Sequence, residues 1–143
     1  MKRATIAGAH AISVSPDGGT AVIAGDGLLR SRDGGVTWTK LATNEGARFE
    51  DAHAEDDGAV LAVGKAGVVA MVDADGRVLH QRIGTADLHT MRVAGWTESV
   101  LDGFAGGDGG HTWLTHDGGW TWEAGPNVGA TVRGVDLIGV GHR

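Results

Sequence analysis

The acidic side chains of this sequence are its first candidates for chemistry. Carboxylates cluster at residues 50–51 and 55–57, and Asp102 follows later in the chain. A pair of carboxylates is what a glycoside hydrolase uses as general acid and base. The pattern singles out no such pair, because residues 50–51 are typical of a solvated strand and residues 55–57, followed by Gly58, of a turn. Hydrolysis is therefore the third hypothesis for this chain, and we assign no catalytic residue.

The histidines offer a second kind of chemistry. Asp51 and His53 lie two residues apart, so they share one face of a strand and could form the corner of a metal site. Asp87 and His89 repeat this spacing. A surface pair or a hydrogen-bonded pair explains the same pattern, and the Asp-x-Asp-Gly run at 73–76 lacks the later ligands of a calcium loop. We therefore expect neither a metal nor a cofactor.

One short stretch occurs twice, as SRDGGVTW at 31–38 and THDGGWTW at 115–122. The Asp-Gly step at its centre falls at residues 33, 75 and 117, which are 42 residues apart each time. The middle copy, DADGRVLH at 73–80, keeps the step but has lost the Thr-Trp pair. An Asp-Gly step between two strands predicts a hairpin turn, and the tryptophan that follows is expected to bury apolar area.

We expect the residues of this motif to be structural, one hairpin turn per repeat. They are Ser31, Asp33, Gly34, Trp38, Asp75, Gly76, Thr115, Asp117, Gly118 and Trp122.

The period of 42 residues organises the whole chain. We place repeat units at about 10–43, 47–85 and 88–126, with a partial fourth unit at 130–143. Each full unit divides into four short apolar stretches separated by glycine-containing turns, a pattern typical of a four-stranded β-propeller blade. The sequence therefore predicts an all-β chain, a single repeat domain over 1–143, with about three antiparallel blades and extra terminal strands.

The Ser/Thr-x-Asp-x-Gly-x-Thr-Trp pattern resembles the Asp-box, or bacterial neuraminidase repeat, of a β-propeller superfamily. Over nearly its whole length the chain looks like the photosystem II assembly-factor-like and sortilin-like propellers, and more distantly like sialidases. The resemblance implies that the motif lies on the outer hairpin of each blade, away from the central pocket. A sialidase of the usual kind would need a tyrosine nucleophile, and this chain contains no tyrosine.

Three and a half units are too few for a closed propeller, which has four to eight blades. Two or three copies could complete a ring by head-to-tail association. A monomeric β-trefoil also consists of three units of four strands, so it is an alternative, and a β-prism of three sheets is a further one. The strand-like segment within 130–143 favours blades that are completed by homo-oligomerisation.

One face of such a molecule is the candidate binding face. The turns between the second and third strands of each unit share this face with the connections between units, and propellers commonly bind ligands there. Two tryptophans outside the motif's buried position could add an interface anchor or a platform for sugar stacking. The candidate residues are Asp26, Lys65, Asp87, Asp108, Trp96 and Trp120.

The composition of the chain excludes some classes of binding partner. The net charge of −6 and the absence of a basic cluster argue against nucleic acid and against anionic membranes. The first residues lack the apolar stretch of a signal peptide, so we expect a soluble protein that is cytoplasmic or virion-associated. With no cysteine in the chain, no disulfide framework is possible.

The leading functional hypothesis is a non-enzymatic module that serves as a structural or protein-interaction platform and assembles with copies of itself. A virion component of the tail or capsid and a carbohydrate-binding module are the alternatives.

Overall fold

The computed structural model describes residues 9, 11–41, 43, 47–55, 57–94, 102–116, 121–125, 127 and 129. The expectations for Trp96, Asp117, Gly118, Trp120 and the partial unit at 130–143 lie outside the described residues. In the part that is described, no helix is long and apolar enough to cross a membrane.

The described residues form twelve strands in three antiparallel sheets of four. Blade 1 contains β1 (Ala11–Val14), β2 (Ala21–Gly25), β3 (Gly27–Ser31) and β4 (Thr39–Lys40). Blade 2 contains β5 (Phe49–Ala54), β6 (Val60–Gly64), β7 (Val68–Val72) and β8 (Val78–Arg82). Blade 3 contains β9 (Leu88–Ala94), β10 (Asp102–Gly107), β11 (Thr112–Thr115) and β12 (Glu123–Ala124). Each strand pairs with the next one in the chain, so every blade is a simple meander, whose strands we call A to D in chain order.

The central strands of blade 2 explain how the sheets stack. All residues of β6 are buried, as are four of the five residues of β7, so both faces of this sheet are covered. One face packs against blade 1 around Leu28, Phe49 and Val60. The other packs against blade 3 around Val63, Leu88 and other apolar side chains. Strands buried on both faces are expected to read as continuous apolar runs, as AVLAVG and VVAMV do.

Face-to-face stacking of three separate meanders confirms the predicted all-β fold of antiparallel four-stranded blades. It differs from a β-prism, whose three sheets would each cover a common core with one face only, and from the barrel of a β-trefoil.

Two arginines tie blade 1 to blade 2 at the end where the A–B and C–D turns lie. Arg30 donates from Nη1 to the carbonyl oxygens of Gly58 (2.8 Å) and Asp73 (3.1 Å). Arg32 donates to the carbonyl oxygen of Ala74 (2.8 Å). A guanidinium suits this role because its several donors are held in one plane.

Candidate functional site

The B–C turn of blade 2 is locked to the segment that leads into the same blade. The N–H of Lys65 donates to the carbonyl oxygen of Arg48 at 3.0 Å. A Cβ added to Gly64 would lie 2.0 Å from this oxygen, so the close approach requires glycine although the backbone there is extended. The turn therefore has a fixed position at the end of the sheet.

Blade 3 repeats this arrangement. The N–H of Asp108 donates to the carbonyl oxygen of Asp87 at 2.9 Å. A Cβ on Gly107 would lie 1.8 Å from the same oxygen. In both blades the predicted candidate face is thus built by direct backbone contact between a B–C turn and the connection that precedes strand A.

Asp87 joins the two turns to each other. Its carbonyl oxygen accepts the N–H of Asp108 in blade 3, while its carboxylate accepts the N–H of Ala66 in blade 2 at 2.7 Å. The residue is half-buried, and it acts as a bridge between blades rather than as the polar tip of a turn.

The residue that Asp87 holds has an unusual backbone. Ala66 has φ 57° and ψ 28°, and it is the one non-glycine residue with positive φ in the described part of the chain. Its carbonyl oxygen accepts a hydrogen bond from Nη1 of Arg82 at 3.0 Å. Gly109 takes the same conformation in blade 3, and its carbonyl oxygen accepts from Nδ2 of Asn127 at 3.0 Å. Each turn thus has a left-handed residue whose carbonyl is held by a side chain from beyond strand C.

A line of acidic and basic side chains runs across this face from blade 1 to blade 3. Arg48 lies 3.6 Å from Asp26 and 3.7 Å from Glu50. Nδ1 of His89 lies 4.0 Å from Glu50, and its Nε2 is 2.7 Å from the carboxylate of Asp108. The side chains of Glu50 and His89 are 18% and 17% exposed, so the middle of this line lies below the surface.

The structure brings the four described candidates, Asp26, Lys65, Asp87 and Asp108, to this one end of the blades. Lys65 is exposed, and the side chains of Asp26 and Asp108 are 47% and 48% exposed. Five further residues that were not predicted from sequence belong to this face: Arg48, Glu50, His89, Arg82 and Asn127. Their position in the sequence could have indicated this, because three of them lie at the start of an A strand, and A strands start beside the B–C turns.

The C–D turn of blade 1, at the opposite end, is organised by Asp33. Its carboxylate accepts hydrogen bonds from the N–H groups of Val36 and Thr37, from the hydroxyl of Thr37 and from that of Ser31. These hydrogen bonds, those of Thr37 first, lower the pKa of Asp33 to about 2. Trp38, which is half-buried, donates from Nε1 to the carbonyl oxygen of Gly35 at 3.1 Å.

In blade 2 the corresponding role falls on a different residue from the one that the repeat indicated. Asp73 accepts the N–H groups of Asp75 and Arg77 (3.0 and 2.9 Å), and the bond from Arg77 is the main cause of a lowered pKa of Asp73. Asp75, which aligns with Asp33, is 82% exposed at its side chain and lies 3.8 Å from Arg77. The Thr-Trp pair is missing after Gly76, and the carboxylate that accepts the backbone N–H groups of this turn belongs to Asp73, two residues before Asp75.

In the third copy, the structure describes the residues on either side of 117–120. Thr115 is buried at the end of β11, and Trp122 packs, half-buried, on the apolar core between blades 2 and 3.

The carboxylates at 50–51 do not lie on a solvated strand, which corrects the expectation from sequence. Asp51 accepts the N–H of Met91 in the neighbouring blade at 2.8 Å and that of Ala52 at 2.9 Å. Burial outweighs these bonds and raises the pKa of Asp51. Two residues on, His53 contacts Glu55, so the Asp51/His53 spacing makes two separate contacts rather than one metal corner. Across the described residues, no group of three metal-ligating side chains converges.

A groove of about 510 Å³ lies at the end of blade 2 that carries the C–D turn. Its floor is the row Leu61, Met71 and Leu79, on the face that turns toward blade 3, and His53 and Arg77 lie at its margins. The groove is distant in the fold from the B–C turns and takes no part in the candidate face.

The comparisons with known proteins agree with the fold. No protein-family model and no curated protein matches this chain. Among solved structures, YCF48 from Cyanidioschyzon merolae superimposes with a TM-score of 0.61 at 17% identity, over 86% of this chain and 42% of that one. YCF48 bound to D1 peptide has a TM-score of 0.54 at 21% identity, over 79% and 38% of the two chains. A GH74 enzyme from Niastella koreensis is more remote, with a TM-score of 0.44 at 18% identity over 83% of this chain and 24% of that one.

The fold and these likenesses define an all-β protein of the β-propeller type. The chain spans about two fifths of the length of the YCF48 structures that it resembles.

Proposed function

We propose that this chain is a non-enzymatic protein-interaction module that presents the B–C face to a partner and assembles with copies of itself. The observation that supports this most is the construction of the face, where backbone bonds and Asp87 hold two turns in fixed positions beside exposed charges. A preorganised surface loses little conformational entropy when a partner binds. At the level of the fold, the YCF48 structure with a bound D1 peptide gives a precedent for peptide recognition by such blades.

Peptide selection tests this proposal directly. A displayed library of random peptides is selected on the wild-type chain, and the enriched peptides are measured against a Lys65→Glu/Asp108→Lys variant. We expect their affinity to fall by about tenfold or more, because charges at an interface set complementarity. The Asp75→Lys variant is the matched control, since Asp75 is 82% exposed at the opposite end. Failure to enrich peptides, or equal binding to both variants, contradicts the proposal.

The non-enzymatic part of the proposal is supported by the roles of the carboxylates. Glu50 lies beside Arg48 and His89, and Asp51 is engaged by backbone N–H groups of two strands. Catalytic carboxylates would instead converge on an open substrate site. A panel of glycosidase substrates tests this: we expect no turnover, and turnover that disappears in Glu50→Gln would overturn it.

The proposed self-assembly is supported by the number of blades. Three described blades fall short of the four to eight of a closed propeller. Two copies would provide six, and we expect a native mass of 2 × 14.6 = 29.2 kDa, or 43.8 kDa for three copies. A species that is strictly monomeric at all concentrations contradicts self-assembly, and the proposal of peptide binding is then unaffected.

Assignment to the Asp-box propellers is also part of this proposal, and the Asp33-centred turn supports it. Carbohydrate binding is the alternative that depends on Trp96 and Trp120, and a virion component remains a further alternative use of such a platform. A glycan array with Trp96→Ala and Trp120→Ala separates the carbohydrate alternative, since binding lost in these variants would favour it over a protein partner.

A further inference from the structure

The outward face of blade 1 is apolar, and it is open along its edge strand β1, whereas Leu29 further along the same row is buried. Ile12 and Val14 on β1 are 65% and 57% exposed, and Ile23 pairs with Ile12 on the same face. Because successive residues of a strand point to opposite faces, the alternate row at Ser13 and Val22 faces blade 2. Ser13 indeed accepts the N–H of Ala54 there at 3.2 Å, and Val22 is fully buried. We call Ile12, Val14 and Ile23 the open face.

Blade 2 shows what normally covers these positions. Val14 pairs with Ala21, one residue before the bond from Ser15 N–H to Thr20 O that closes the A–B turn. In blade 2 the pair Ala54 and Val60 precedes the equivalent bond.

Val14 and Ala54 are therefore structurally equivalent, and so are Ile12 and Ala52. Ala54 is 0% exposed and Ala52 7%, because blade 1 packs on them. The open face is thus a blade-packing surface whose side chains are large and apolar.

Blade 3, at the other end of the row of blades, also has an outward face, and this face is turned in the opposite direction. Phe104 and Leu114 are paired in blade 3 and lie on the face away from blade 2, since their neighbours Ala105 and Trp113 pack on blade 2. Phe104 and Leu114 are each half-buried.

We propose that the open face of one copy packs against the Phe104 face of blade 3 in a second copy. This rests on the self-assembly proposed above and specifies its contact. In both internal interfaces, strands A and B of one blade pack on strand A of the next, as β1 and β2 do on β5, and β5 and β6 on β9. The contact between copies continues this rule, with β9 and β10 of one copy on β1 of the other. Two such contacts close a ring of six blades with twofold symmetry.

The charges on the D strands, the outermost strands of blades 1 and 3, agree with this pairing. The row of Ile12 and Ile23 continues through the buried Leu29 and ends at Lys40 on β4. The row of Phe104 ends at Glu123 on β12. Both end residues are exposed and of opposite sign. Opposite charges on equivalent outer strands favour this orientation over a contact between two open faces, which would bring two lysines together.

Cysteine cross-linking tests the contact, because the chain has no cysteine of its own. Ile12→Cys and Phe104→Cys are prepared as separate proteins, mixed, and oxidised. We expect a disulfide-linked dimer in the mixture and none from either protein alone. Val36→Cys is the control, since Val36 is 71% exposed on the C–D turn and outside both faces. A dimer from Ile12→Cys alone would overturn the proposal in favour of a contact between two open faces.

Charge insertion gives a second, independent measurement. Val14→Lys is expected to raise the dissociation constant of the assembly by at least about tenfold, because it places an unpaired charge in a dry contact. Thermal unfolding at a concentration where both proteins are monomeric should be unchanged, as Val14 is exposed in the single chain. Val36→Lys should leave the mass unchanged.

The outcomes separate the two proposals. A monomeric wild-type chain removes self-assembly and this contact together. A 29.2 kDa wild-type species that neither cross-links in the mixture nor dissociates with Val14→Lys leaves self-assembly standing and overturns the contact.

Discussion

The carboxylate of Asp87 accepts the backbone N–H of Ala66 at 2.7 Å, across the boundary between two blades. Asp87 lies in the connection to blade 3, whereas Ala66 lies at the apex of the B–C turn in blade 2. The bond therefore stabilises a strained turn and the stacking of two sheets at once. Asp87 thereby helps to hold the two B–C turns of this face in position.

Replacing Asp87 by alanine should lower the free energy of unfolding by about 1–3 kcal/mol, because the N–H of Ala66 loses its partner at a half-buried site. Asp87→Asn keeps a side-chain oxygen acceptor and should lose less. Urea unfolding monitored by tryptophan fluorescence measures both changes. Equal losses for the two variants would show that charge, rather than the hydrogen bond, is what matters.

Replacing Ala66 by glycine should raise the free energy of unfolding by about 0.5–1 kcal/mol, since glycine adopts positive φ without the steric cost that alanine has. Ala74 lies in an exposed turn without positive φ, and Ala74→Gly should be neutral or destabilising. The comparison is made in the same urea experiment. A loss of stability in Ala66→Gly would mean that the left-handed turn costs little in this context.

Gly64→Ala and Gly107→Ala should each cost about 3 kcal/mol or more, because the new methyl group would meet a backbone oxygen that cannot move without displacing a strand. The added Cβ would lie 2.0 Å from the carbonyl oxygen of Arg48 in Gly64→Ala and 1.8 Å from that of Asp87 in Gly107→Ala. Gly18→Ala is the control: its φ is +78°, yet nothing lies within 4 Å of its added Cβ. This control should cost only about 1 kcal/mol of backbone strain. Similar losses at all three positions would refute the close-approach explanation.

The strands were largely predictable from sequence, and the contacts between blades were not. Short apolar runs between glycine turns placed the twelve strands because alternation and turn chemistry are local properties. The acceptor role of Asp73 and the burial of Asp51 depend on how one turn closes and on which strand lies beside it. The face at Arg48, Glu50 and His89 was missed for the same reason, since these residues come together only when two A strands stand side by side.

The C–D turn of blade 1 should lose stability in acid. The folded-state pKa of Asp33 is about 2, below its ordinary value of 3.8, so its contribution is complete above 3.8 and disappears as the pH falls toward 2. Carbon-detected NMR titration of the Asp33 carboxyl measures the value. In Thr37→Val, which removes the hydroxyl donor, the pKa should move up toward 3.8, whereas Thr85→Val, at an exposed site in another connection, should leave it unchanged. A Thr37→Val value that remains near 2 would exclude the hydroxyl as the main cause.

Asp51 should give the opposite pH dependence, in a separate range. Burial raises its pKa in the folded state, so the folded protein holds the proton more tightly than the unfolded chain does. By linkage, the free energy of unfolding should therefore decrease as the pH rises above 3.8 through the raised pKa. Asp51→Asn cannot ionise, so its stability should lack this decrease, whatever it loses from having one carboxylate oxygen fewer. The measurement is the difference in slope between wild type and Asp51→Asn across urea titrations at several pH values, in which the other carboxylates cancel. Parallel slopes would mean that the bonds from Met91 and Ala52 fully compensate the burial of the charge.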